Sequence, residues 1–256
     1  MSLGGEGPRN QKLWGQEKDV RLEWGGEGLA ALGSECAVLV VVDVLSFSTT
    51  VDLVLARGGR VLPLRWRDER AAAEAVEAGA ILAGQHEWTL RPSSVSTFPA
   101  GELLALPSPN GATLSAAAAE TGSHVLTGCL RNASAVARAA HRLAEGGPIG
   151  VIPAGERWGV TMFGGETFGP LRPCAEDLLG AGAIVAALLD YGLSASTEAR
   201  LAATAFFGMD IAAALAECSS GRELTAAGHA GDIPPAAEVN VSAGAPRFAK
   251  GVFRNE

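Results

Sequence analysis

Between residues 37 and 153 the sequence alternates short apolar runs with longer Ala- and Leu-rich stretches, and no other feature constrains the fold as strongly. Runs of strand length fall at 37–43, 60–64, 79–83, 103–106, 123–127 and 148–153, with one more at 237–241. Stretches of helical period lie at 46–57, 68–78, 111–120, 132–145, 174–191, 197–206, 208–217 and 220–227. Parallel strands need a crossover connection, usually a helix, so this order predicts βαβ units and a layered α/β fold. Its sheet is expected to be largely parallel, with helices on both faces.

The polar start, MSLGGEGPRNQK, lacks an apolar signal core, so residues 1–22 read as a flexible or partly vector-derived leader. Residues 23–256 read as a single α/β catalytic domain with room for two lobes. Net charge is -8 and the Lys and Arg residues are scattered, which argues against nucleic acid or an anionic membrane as partner, because both need clustered positive charge. No uncharged apolar run reaches membrane-spanning length. The four cysteines, Cys36, Cys129, Cys174 and Cys218, have neither zinc-site nor disulfide-framework spacing, and a reducing cytoplasm is the expected compartment. A homo-oligomer is left open.

Three segments share a plan in which an apolar run gives way to a polar turn and then a helix: VVDVLSFSTT (41–50), LPSPNGATLS (106–115) and LTGCLRNASAVA (126–137). Each sets hydroxyls and unpaired backbone N–H groups at a helix N-terminus, suited either to capping or to holding phosphate oxygens. Ser46, Ser48, Thr49, Asn110, Thr113, Asn132 and Ser134 are the candidate donors. Asp43 ends the first run, and no second Asp stands two residues on, which disfavours a phosphorylated nucleophile and favours a Mg²⁺ ligand. Farther along, Glu156 and Arg157 follow a strand, while Glu176 and Asp177 open a helix rich in small residues. Ser219, Ser220, Gly221 and Arg222 form a turn suited to an anion. Cys218 is too close to Arg222 for a cysteine-phosphatase loop. Two long connections, 85–102 and 155–173, are the expected functional loops.

In their order, VVDVLSFSTTVDLVLARGG, SPNGAT, TGCLRNASAVA, AGER, CAEDLLGAGAIVAAL, CSSGREL and DIPPAAEVNVS resemble the 2-phosphosulpholactate phosphatase family. The resemblance implies a three-layer α/β/α fold and a Mg²⁺-dependent hydrolase acting on a small anionic phosphoester, a step toward coenzyme M. Matched motifs carry over Asp43, Thr49, Thr50, Asn110, Gly111, Thr113, Asn132, Ser134, Glu156, Glu176, Asp177, Ser219, Ser220, Gly221, Arg222 and Asp232. On this reading Asp43 with Glu176 or Asp177 holds Mg²⁺, and Glu156 orients the attacking water. Helix starts at Ser48–Thr50 and Asn110–Thr113 hold the phosphate, and Arg222, helped by Arg157 or Arg131, neutralises the substrate acids. Asp43, Asn110, Asn132, Glu156 and Glu176 are expected around one cleft. Ser46 stands where the family motif has Arg, so weaker turnover of 2-phosphosulpholactate itself is expected, with Arg91 as the compensating cation. The alternative is a metabolite-binding or regulatory protein that keeps the pocket without turnover.

Overall fold

The computed structural model describes residues 16–158 and 169–256. Its most buried strand is β2 (Val38–Val42), where the run VLVVV is buried at every position. A strand buried on both faces has no polar face to present, so its apolar residues run on without alternation. Around it stand β1 (Val20–Leu22), β3 (Arg60–Leu64), β4 (Ile81–Leu82), β5 (Leu103–Pro107), β6 (His124–Gly128) and β7 (Ile149–Pro153). A short pair, β8 (Glu156–Arg157) and β9 (Leu171–Arg172), forms a separate two-stranded sheet. The hairpin β10 (Pro246–Ala249) and β11 (Val252–Asn255) completes a nine-stranded central sheet of order β1-β7-β2-β6-β10-β11-β3-β5-β4.

Helices cover both faces. On the β2 side, α1 (Gly25–Leu32) and α4 (Gly111–Ala119) pack on Leu39 and Val41. The opposite face, bearing Val38, Val40 and Val42, takes α5 (Ala133–Ala144) and α6 (Ala175–Leu189). On the β3 side, α2 (Phe47–Ala56) packs over Val61 and Leu104, and α3 (Glu69–Glu77) over Leu62 and Leu103 on the reverse. The result is three layers, α/β/α. Outside α6 lie α7 (Thr197–Gly208), α8 (Ile211–Glu217), α9 (Ser219–Ala226) and α10 (Ile233–Ala237). Among the described residues no single helix is long and apolar enough to cross a membrane.

The sheet is mostly parallel, in two groups. β1, β7, β2 and β6 run together, as do β3, β5 and β4, while the hairpin is antiparallel to both flanks and within itself. Three antiparallel steps therefore reverse the nominal sense between β2 and β5. Twist then acts against the reversal: five steps at roughly 20–25° each turn the strand direction by about 100–125°. The carboxyl ends of β2 and β5 thus converge, and the N–H of Gly111, just past β5, donates to Asp43 Oδ2 at 2.9 Å.

Several sequence expectations need correction. Residues 20–22, assigned to the leader, form β1 and pair in parallel with β7, so the ordered fold begins earlier. Residues 237–241 are not a strand: α10 ends at Ala237, and Asn240 takes a left-handed backbone at φ 54°. The remainder of the leader, 1–15, and residues 159–168 of the loop 155–173 lie outside the described residues.

The small residues at the start of α6 serve close packing. A Cβ on Gly182 would lie 2.1 Å from the carbonyl oxygen of Ala202 on α7, a backbone atom that cannot rotate away. Gly182→Ala should therefore cost about 1–3 kcal/mol through forced separation of the helices. In a chain of this size that lowers Tm by roughly 2–12 °C, and an unchanged Tm would show that α7 shifts freely.

Candidate active site

Asp43 occupies the turn between β2 and α2, only 7% exposed, with its backbone N–H and both carboxylate oxygens engaged. Its Oδ1 accepts the N–H of Phe47 at 3.3 Å and its Oδ2 that of Gly111. Its own N–H donates to Ser48 Oγ at 2.9 Å. Gly111 is required for this approach, since a Cβ there would fall 2.3 Å from the Phe47 ring and 2.8 Å from Asp43 Oδ2. Burial pushes the Asp43 carboxyl up to about 7, and the neighbouring charge of Glu156 adds to the effect, against the two N–H bonds.

Asp43 faces a cavity of about 310 Å³ at the convergence of these strand ends. Its acids are Asp43, Glu156 on β8 and Glu223 on α9; its cations are Arg67, Arg157 and Arg172. Ser46, Asn110, Ser219 and Trp158 complete the polar and aromatic wall. Burial raises the Glu156 carboxyl, while Asn110 and Arg172 pull partly back. Arg172 stands directly opposite Glu156 in the β8–β9 ladder, with its guanidinium 5.7 Å from the Trp158 ring centre. Arg67, three residues beyond β3, turns its charge toward Glu156 and Asp43.

Glu176 and Asp177 open α6 behind this wall, both buried. Asp177 is fully committed: Oδ1 accepts the N–H of Val44 and Oδ2 that of Gly155, each at 2.8 Å, clasping the ends of β2 and β7 together. Burial, then Glu176 and Asp43, raises its carboxyl well above the usual range. Glu176 likewise raises Asp43 and Glu156. Cys218, beside Glu176, is a thiol: burial and that carboxylate push it up to about 12, and its sulfur accepts the N–H of Gly221 at 3.3 Å. That leaves no thiolate for nucleophilic attack near neutral pH.

Other sequence candidates are turned elsewhere. Ser48 Oγ pairs with Thr127 Oγ1 at 2.7 Å, while Thr49 and Thr50 donate to the carbonyls of Val44 and Leu90, each at 2.7 Å. These hydroxyls lock α2 to its surroundings and do not face the cavity. Thr113 reaches back to the Ser108 carbonyl. Asn132 is buried away from the cavity with its Oδ1 accepting the Cys129 N–H, and exposed Ser134 donates its backbone N–H to Asn240 Oδ1. Gly221 packs against the Leu215 carbonyl, where a Cβ would come to 1.8 Å, and buried Ser220 lies beside it. Arg222 is exposed and absent from the cavity wall. Arg157 lines the cavity but its guanidinium grips Glu27 at 3.1 and 3.2 Å. Of the five residues expected around one cleft, Asp43, Asn110 and Glu156 line it, Glu176 backs it and Asn132 does not reach it.

These raised acids carry a stability consequence. A carboxyl whose folded pKa exceeds its unfolded value favours the fold while protonated, and that contribution is lost as pH rises through the folded value. Asp43, Glu156, Asp177 and Asp52 all shift upward. In the presence of a chelator, Tm should therefore fall between pH 5 and pH 8, and less steeply in Asp43→Asn. A Tm that rises over this interval would contradict the assignment.

A family model described as 2-phosphosulpholactate phosphatase matches residues 30–251, nearly the whole chain.

Proposed function

The chain belongs to the 2-phosphosulpholactate phosphatase family, and on that premise we propose that it is a phosphoric monoester hydrolase acting on a small anionic phosphoester. One observation carries the reading: buried Asp43 and half-buried Glu156 share the wall of one cavity with Arg67 and Arg172 at converging strand ends. Cations can neutralise the phosphoryl oxygens while a carboxylate manages the proton of an attacking water. Glu156 suits that role, because burial raises its affinity for the proton. Water oxygen bonds to phosphorus as the ester P–O bond breaks; the departing alkoxide takes a proton, giving an alcohol and inorganic phosphate.

Among the described residues no three acidic, His or Cys side chains are grouped to hold a metal. Mg²⁺ does not require such a cage, since it binds through one or two carboxylates and retains water. Asp43 and Glu176 fit that pattern, because each acid here raises the proton affinity of its neighbours and a divalent cation relieves that repulsion. Asp43 keeps its place on the cavity wall although each of its oxygens accepts one N–H, whereas Asp177 lies off that wall with both oxygens spent on joining β2 and β7, and does not fit. When bound, Mg²⁺ would supply charge stabilisation to the phosphoryl oxygens.

The test is phosphate release from a panel of phosphoesters including 2-phosphosulpholactate, with and without Mg²⁺, beside Tm in the absence of substrate. Turnover that needs Mg²⁺, and a Tm raised by Mg²⁺ at pH 8, are expected. Binding of panel members without any turnover would instead support a metabolite-binding protein.

A further inference from the structure

A second cavity, of about 560 Å³, adjoins the charged one and exceeds it in size. The two share Ser46, Arg67 and Leu90 as common wall. Ser46, at the start of α2, makes no side-chain cap hydrogen bond, and its short side chain leaves the two spaces adjacent.

The walls of the second space differ in kind from those of the first. Leu82, Ala83, Pro107 and Leu224 give it apolar surface. Two of its charged groups are already satisfied: Asp68 pairs with Arg70 at 2.6 Å, and Arg91 with buried Asp232 at 2.9 Å. What the space offers an entering group is thus chiefly apolar contact, with Arg67 at its mouth. A cavity of this size, mostly apolar with a few placed polar groups, is the usual form of a small-molecule site.

Resting on the hydrolase reading above, we infer that this cavity receives the organic part of the substrate, so that the preferred phosphoesters carry an aryl or branched alkyl group beyond the ester carbon. The phosphoryl group lies among Arg67, Arg172 and Glu156, and the apolar group extends past Ser46 toward Ala83 and Leu224. A short acid fills only the charged cavity and forgoes this contact.

Two phosphoesters that differ by one phenyl ring, 2-phospholactate and 2-phospho-3-phenyllactate, test the inference. The phenyl compound should show about tenfold higher kcat/KM, the effect of roughly 1.4 kcal/mol of apolar burial. Ala83→Phe and His229→Trp, which add bulk to two separate parts of the second cavity's lining, should each bring the ratio of the two kcat/KM values toward one. Taking a ratio cancels any general loss of folded enzyme. A ratio of one or less in the unaltered chain, or a ratio that neither variant changes, overturns the inference. If neither ester is hydrolysed, the hydrolase reading fails separately. Calorimetric binding of the phosphonate analogue of the phenyl compound then decides: weakening of about tenfold in Ala83→Phe upholds the cavity, and absent or unaltered binding overturns it.

Discussion

Asp43→Asn should lose the proposed phosphoester hydrolysis by about a thousandfold, within the range expected when a positioned acid–base or charge-binding group is removed, yet fold as well as the unaltered chain. The loss follows from position: Asp43 is the acid at the head of the cavity, and an amide neither carries its negative charge nor holds a cation. The intact fold follows from the same burial. With its pKa raised to about 7, the Asp43 carboxyl favours its neutral form inside the protein. Asparagine imitates that form, with one acceptor for the N–H of either Phe47 or Gly111. At pH 8 without metal the variant should be at least as stable as the parent, since it also removes repulsion with Glu156 and Glu176. Paired measurements of kcat/KM and Tm check both halves. Activity within tenfold of the parent would remove Asp43 from the chemistry, and a collapsed fold would make it a structural cap.

Arg131→Met should produce the largest loss of stability of the variants proposed. Arg131 is a buried junction: its Nε meets Asp52 on α2 at 2.9 Å, and its Nη1 meets the Pro235 carbonyl at 2.9 Å and Glu238. Asp52 is 1% exposed and otherwise has Ser242 Oγ at 2.6 Å. Methionine fills much of the space but leaves a buried carboxylate without its cation, which costs about 3–5 kcal/mol. For a chain of this length that is roughly 6–20 °C in Tm. Burial already raises Asp52, with Ser242 and Arg131 pulling back. The stranded acid therefore takes up a proton, and the deficit should be smaller at pH 5 than at pH 8. Asp52→Asn in the same chain should recover part of it. A loss below about 1 kcal/mol, or no recovery, would place Arg131 among exposed ion pairs of small effect.

How far the sequence could be read depended on whether one local signal determined the structure. β2 was legible because burial on both faces leaves an uninterrupted apolar run, and the helices from α2 to α9 because their apolar residues recur at helical spacing. The hairpin β10–β11 was not. Pro246, Arg247, Lys250 and Arg254 break any alternation, and its two-residue turn is Lys250–Gly251, both at positive φ, a weaker signal than Asn-Gly. The expected strand at 237–241 failed because Pro234 and Pro235 start α10, which runs to Ala237, and the chain beyond it turns through Asn240 in a left-handed backbone.

At the site Asp43, Glu156 and Arg157 were legible, whereas Glu223, Arg67 and Arg172 were not. Arg222 came from a motif, but residues four apart share a helix face, so Ser219 brings Glu223 to the cavity and leaves Arg222 off that face. Arg67 and Arg172 come from a turn beyond β3 and from the short strand β9, where only the folded chain sets them opposite Glu156. A Trp–Arg pair just past a strand end, Trp66–Arg67, was the available signal. The convergence of Asp43 and Gly111 was expected from a largely parallel sheet; it arises from twist across an antiparallel hairpin.

That hairpin also bears on how the protein is made. The two groups of parallel strands have no direct pairing with each other, and the element that pairs with both is the segment 246–255. On a ribosome those residues follow every other strand of the sheet, at about 5–20 residues per second. Until they emerge, β6 and β3 present open edges, and the turn holding Asp43 lacks the sheet that brings Gly111 to it. Nascent chains thus pass through a stage with two exposed strand borders and an unfinished pocket, when pairing with a neighbouring chain competes with closure. Arrival of the hairpin ends that exposure and assembles the pocket in one event.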